Sequence, residues 1–222
     1  MSCILALDCS LAALTLALSR DGTLLAERQT PMSRGQAEEI IPAIERMLSD
    51  ADVDYADLSA IAATVGPGSF TGIRVGLAAA RGLALALELP TIAISTLGAF
   101  AYQGFDEESA SQRLCVAINT KRGDYYTQLF SEGMLEVSEP SILAPEEIVS
   151  ALNEAGETLL AGDIEPSVLE GRPAGFRVIG PNLLSPKTLA SQAHEAFLAE
   201  RFEPLRPVYM RGAQLGPPAK KA

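Results

Sequence analysis

The stretch TVGPGSFTGIRVGLAAARGLALALEL, Thr64–Leu89, decides how this chain is read. An apolar run gives way to Gly66-Pro67-Gly68-Ser69-Phe70, and an apolar helix follows. A strand, a glycine-rich turn and a helix first suggest a phosphate loop. The Walker pattern GxxxxGK[ST] needs a lysine to reach the terminal phosphates. Here Gly72 follows Gly66 by six positions, Ile73 stands next, and no lysine occurs between Thr64 and Leu89. The dinucleotide pattern GxGxxG fails too, because Gly66, Gly68 and Gly72 give GxGxxxG. What remains is the generic preference of a helix N-terminus for anions. The loop therefore reads as a strand-to-helix turn, with Ser69 and Thr71 as candidate N-caps.

The helix that follows carries small residues every four positions: Gly72, Gly76, Ala80 and Ala84, with a second row at Ala78, Gly82 and Ala86. Leu77, Leu83, Leu85 and Leu87 fill the rest of its circumference. Each internal glycine costs about 1 kcal/mol relative to alanine, so two of them imply close approach of another backbone. A helix apolar nearly all round is buried on more than one side. One side belongs to the parent sheet. The other belongs either to a neighbouring helix of the same domain or to a different subunit.

Outward from this stretch the period alternates. CILALDCS (Cys3–Ser10) and LAALTLALS (Leu11–Ser19) are strands, and Asp21-Gly22 turns the chain into TLLAERQT (Thr23–Thr30), a third. GQAEEIIPAIERMLSDA (Gly35–Ala51) has helical spacing, with Pro42 expected to kink it. LSAIAATVG and PTIAIST are strands before and after the glycine-loop helix. The second half repeats this order more loosely. RLCVAIN, DYYTQLF and GMLEVSE are strands, APEEIVSALNEAG a helix, TLLAGD a strand, IEPSVLEG a short helix, FRVIG a strand and SPKTLASQAHEAFLAERF a last helix. The expectation is an α/β fold of two duplicated βββαβα halves, 1–103 and 104–213, hinged near Gly104-Phe105-Asp106. The tail 214–222, ending GPPAKKA, reads as disordered.

Composition limits the function. The 222 residues include 17 Lys and Arg against 28 Asp and Glu, a net charge of −11, which argues against this chain gripping nucleic acid alone. Cys3, Cys9 and Cys115 lie in apolar runs without a CxxC spacing, so they read as buried thiols in a reducing compartment. No basic segment precedes an apolar one at the N-terminus, and Arg74, Arg81 and Glu88 interrupt the longest apolar helix, so the chain reads as cytoplasmic. The single histidine, His194, lies in an Ala-rich helix and reads as a surface or groove residue. Asp8 and Asp163 each end a strand. They either hold a metal–nucleotide complex in a cleft or cap the next turns.

Four segments taken together, ILALDCSLAALTLAL, GQAEEIIPAIERML, GPGSFTGIRVGLAAARGLALALELPTIAISTL and INTKRGDYYTQLF, resemble the TsaB (YeaZ) family. The resemblance is dense over residues 3–130 and thins to LAGD and PVYMR beyond. It implies an actin-like ATPase (ASKHA) fold and a non-catalytic subunit. That subunit pairs with a TsaD-like threonylcarbamoyltransferase and works with a TsaE-like ATPase to modify the adenosine beside the tRNA anticodon. It implies homodimers in isolation, tRNA contact only through the complex, and no membrane. It also implies no intrinsic cofactor, with ATP or ADP and magnesium held at the partner interface. The interface falls on the first two helices, hence on Gln36, Ile40, Ile44, Met47, Gly72, Arg74, Gly76, Leu77, Ala80 and Arg81. Arg74 and Arg81 are expected to meet partner carboxylates, and Gly76→Arg is expected to break the complex without unfolding the chain. TsaD-like enzymes carry two metal-binding histidines where this chain has Gln36 and Ile40, and Asn119 stands where the family commonly has aspartate. The alternatives are an actin-fold ATPase or kinase built on Asp8 and Asp163, and a glycoprotease-like hydrolase.

Overall fold

A computed structural model describes residues 1–107, 113–155, 158–165, 177–179 and 182–210. Strand β1 (Cys3–Asp8) is buried along its whole length because it runs through the middle of the first sheet. It pairs antiparallel with β2 (Ala13–Arg20), opposing Leu5 to Leu18 and Ala6 to Ala17. Asp21 and Gly22, both at positive φ, turn the chain into β3 (Thr23–Pro31). β3 forms the sheet edge, and its alternating exposure matches a strand covered on one face only. Helix α1 (Gln36–Asp50) runs through Pro42 as one element and leads to β4 (Ala60–Gly66), parallel to β1. Helix α2 (Phe70–Leu87) and β5 (Thr91–Ser95) complete a sheet in the order β3-β2-β1-β4-β5.

The second half repeats that sheet. β6 (Arg113–Asn119) is central, with β7 (Tyr125–Ser131) antiparallel on one side and β10 (Thr158–Ala161) and β11 (Arg177–Ile179) parallel on the other. The expected third strand over Gly133–Glu139 shortens to β8 (Leu135–Glu136), after a turn at Glu132–Met134. A further strand, β9 (Ser141–Leu143), also pairs with β7 before α4 (Pro145–Ala155). The duplicated topology is the actin-like arrangement expected from the sequence. The short helix expected over residues 164–171 falls almost wholly outside the described residues, as does the tail 214–222.

Two expectations change. Gly104, Phe105 and Asp106 lie inside helix α3 (Thr96–Glu107), so the proposed boundary between 103 and 104 cuts a helix. Leu97, Ala99, Phe100 and Ala101 are buried in it. The periodic signal is weak there because α3 is buried over most of its circumference by the second sheet and by α5 (Pro186–Leu198), with Gly98, Tyr102 and Phe105 half-buried on one side. Conversely α5, the last helix of the second half, packs on the first sheet against β1, β2, β3 and β5. The two helices thus cross over and form one core between the sheets, from Ile4, Ala62 and Ile94 through Phe100, Leu189 and Ala193 to Val116 and Phe130. α1 and α2 cover the outer face of the first sheet, and α4 that of the second.

Past α5 the chain returns as an extended strap, 201–210, over the first half. The Glu203 amide donates to the Thr91 carbonyl at 2.9 Å and the Val208 amide to the Val65 carbonyl at 2.8 Å. Leu205 is buried beside the α1–α2 core.

Candidate functional site

The glycine loop is built around the β1–β2 turn. The Ser69 amide donates to the Ser10 carbonyl at 2.7 Å, and the Ser69 hydroxyl caps α2 by accepting from the Gly72 amide at 3.2 Å. A Cβ at Gly68 would lie 2.3 Å from the Ser10 carbonyl oxygen, and one at Gly72 only 1.9 Å from that of Cys9. Those glycines serve backbone-to-backbone contact within the chain.

The small-residue row therefore faces inward. Gly72, Gly76, Leu77, Ala80 and Ala84 are buried, and a Cβ at Gly76 would meet Cys9 and Leu7 at 3.3 and 3.4 Å. On α1, Gln36, Ile40, Ile44 and Met47 are likewise buried. Of the ten sequence-derived interface positions, only Arg74 and Arg81 present exposed side chains. Gly76→Arg would thus strike the core, which makes it a folding variant and no test of an interface.

The outward row of α2 is Arg74, Ala78, Arg81 and Leu85, at positions i, i+4, i+7 and i+11, with Gly82 and Ala86 beside it. Leu85 is 82% exposed, and no side chain lies near Gly82. On α1 the outward residues are Ala37, Glu38, Ile41, Glu45, Arg46, Ser49 and Asp50. A helical wheel would have found this row, but the sequence alone does not say which of two small-residue rows meets the sheet.

Both arginines hold the strap. Arg81 donates to the Leu205 carbonyl. The Arg74 guanidinium lies 3.6 Å from the Phe70 ring centroid, and its Nε donates to the Tyr209 hydroxyl at 2.8 Å. The expected role at a partner's rim thus competes with a role inside the chain. Sequence reasoning missed the strap because nothing in its composition marks where an extended segment docks.

The two aspartates have different environments. Asp8 is fully buried. Its Oδ1 accepts from the Ser10 amide at 2.9 Å and from the Ser10 and Thr64 hydroxyls at 2.5 Å each, while Oδ2 has no partner among the described residues. Burial pushes its pKa up, against the pull of those hydrogen bonds. Asp163 lies at the end of β10 in the cleft between the halves and is paired with the Lys121 ammonium at 2.8 Å. The cleft encloses about 530 Å³. Asp163 lines it and Asp8 does not, because Ser10 stands between Asp8 and the cavity.

The remaining polar candidates are occupied locally. The Gln36 amide donates to the Met32 carbonyl at 3.1 Å, and Asn119 donates to Glu165 at 2.6 Å and accepts from the Lys121 amide at 2.6 Å. His194 packs over Gly22. Burial raises the thiols of Cys9 and Cys115 to about 12 each.

Residues 29–167 match the TsaD family, described as tRNA N6-adenosine threonylcarbamoyltransferase. The chain belongs to this family, in its TsaB (YeaZ) branch. It is 38% identical to the Escherichia coli tRNA threonylcarbamoyladenosine biosynthesis protein TsaB over 123 residues, 55% of this chain and 52% of that one. It is 31% identical to Haemophilus influenzae TsaB over 160 residues, 67% of each chain. The chain thus spans about half the length of the E. coli relative. The solved structure of YeaZ from Pseudomonas aeruginosa superimposes with a TM-score of 0.81 at 27% identity, covering 95% of this chain and 100% of that one. The matched residues include all of α1 and α2.

Proposed function

We propose that this chain is a non-catalytic subunit for the biosynthesis of tRNA threonylcarbamoyladenosine, docking on a TsaD-like threonylcarbamoyltransferase through the outer face of α1 and α2. The observation that carries the reading is the outward row of α2. Leu85 is 82% exposed and stands among Ala78, Gly82 and Ala86, on a helix that by length and composition is apolar enough to cross a membrane. Small side chains there admit another helix at close range, and Ile41 on α1 widens the patch. In isolation the same face pairs with a second copy. A TsaE-like ATPase completes the assembly, and tRNA is met through the partner. A scaffold role agrees with the chain's own polar groups, since the Ser69 hydroxyl caps a helix and the Gln36 amide is used by Met32.

Reconstitution tests this. Threonylcarbamoyladenosine formation by the TsaD-like partner and its ATPase should depend on adding this chain. Leu85→Arg and Gly82→Arg should abolish both co-elution with the partner and that stimulation without lowering the thermal midpoint. Unchanged co-elution by both variants would remove the interface. Unaltered modification in the absence of the chain would remove the function.

A further inference from the structure

We infer that the groove between the C-terminal end of α2 and the strap receives an acidic-apolar segment of the docking partner, an apolar side chain with a carboxylate beside it. The inference rests on the docking face proposed above, with which the groove is continuous through Leu85. The groove encloses about 560 Å³, at the end of α2 remote from the cleft. Its floor is apolar: Ala84, Leu85 and Leu89 come from the helix side, Pro204 and Leu205 from the strap. Its walls are fixed before any ligand arrives. The Thr91 hydroxyl donates to the Glu203 carbonyl at 2.7 Å, the Glu203 amide donates back to the Thr91 carbonyl at 2.9 Å, and Arg81 holds the Leu205 carbonyl. A preformed groove spares a ligand the ordering of its walls.

Polarity runs along the groove. Arg81 is tied to the carbonyl just before Arg206, so two guanidinium groups share one stretch of wall. Arg206 is exposed and has no hydrogen bond or ion pair among the described residues, and Arg81 keeps donors to spare beyond the one on Leu205. Glu88 lies seven residues beyond Arg81, about 10 Å along the helix, beside the carbonyl end of α2. The groove is thus cationic at the arginines and anionic at the helix end. An unpaired cation over an apolar floor, in a chain of net charge −11, selects its occupant by charge as well as by shape. A carboxylate meets the guanidinium groups while the apolar side chain beside it lies on Leu85 and Pro204.

Calorimetric titration of the full chain with the TsaD-like partner tests this, with Leu85→Arg as the reference for docking itself. Arg206→Glu should weaken the complex by about fivefold or more, and Glu88→Gln should tighten it by about twofold. Both effects should shrink between about 50 and 500 mM salt, because exposed charges are screened. Both side chains are exposed, so neither change should lower the thermal midpoint. If Leu85→Arg abolishes binding and Arg206→Glu leaves it intact, the inference fails while the docking face stands. If both variants bind as the parent does, the docking face falls and the inference with it. A tighter complex with Arg206→Glu would mean that a basic segment fills the groove. Loss of self-association in Arg206→Glu with partner affinity unchanged, read by sedimentation, would put a second copy there. Either result overturns the inference.

Discussion

Replacing Gly72 by alanine adds one methyl group at a point 1.9 Å from the Cys9 carbonyl oxygen. That atom belongs to the backbone, held between the end of β1 and the start of β2, so it cannot swing aside as a side chain would. α2 must slide off the sheet or the β1–β2 turn must move. Overpacking of this kind costs about 1–3 kcal/mol. Helix propensity works the other way, favouring alanine by about 1 kcal/mol. Gly82 isolates the second effect, since a Cβ there meets nothing within 4 Å. Gly82→Ala should stabilise the monomer by about 0.5–1 kcal/mol, while Gly72→Ala should destabilise it by up to about 2 kcal/mol net. In a chain of this size, each kcal/mol moves the thermal midpoint by about 2–4 °C. Thermal and urea unfolding of the two variants beside the parent provide the assay. A Gly72→Ala protein stabilised as much as Gly82→Ala would refute the inward assignment of the small-residue row.

Burial raises the pKa of Asp8, so its ionisation opposes folding; the native state is favoured below the ordinary carboxylate range, and this contribution is lost as pH rises through the folded pKa. Asp8→Asn should therefore gain stability relative to the parent at pH 7.5, with the gap narrowing as pH falls toward 4, measured by urea midpoints; a pH-independent gap would contradict the assignment. Cys3, Cys9 and Cys115 are all buried and burial raises their thiols, so native protein should resist iodoacetamide and urea-unfolded protein should react at all three cysteines, as read by intact mass. Leu205→Ala, which empties a buried site under the strap, should cost about 2–4 kcal/mol in urea unfolding, and a loss under about 1 kcal/mol would show the strap to be loosely held.

Much of the fold was legible because β1, β2 and β4 are continuous apolar runs and the Asp21-Gly22 turn needs residues that tolerate positive φ. α1 and α2 were readable to within a residue or two for the same local reasons: spacing on α1, and the Ser69 cap on α2. α3 was not, because a helix buried over most of its circumference shows little polar stripe. Nor could local pattern reveal that α3 and α5 exchange sheets, since each pairs with strands remote in sequence.

The same division holds at the candidate sites. The sequence by itself determined that Thr64–Leu89 carries neither the Walker nor the dinucleotide pattern, because lysine and spacing are local facts. It also determined that the helix after it needs close neighbours, because glycine's helical cost is local too. Only the tertiary structure decided which neighbours. Gly72 and Gly76 meet the chain's own β1, so the face open to another protein is the row through Ala78, Gly82 and Leu85. It likewise walled off Asp8, paired Asp163 with Lys121, and bound Arg74 and Arg81 to a strap from the other end of the chain. Periodicity reports that a helix has two apolar sides; the orientation that assigns each side is set by backbone contacts between segments far apart in sequence.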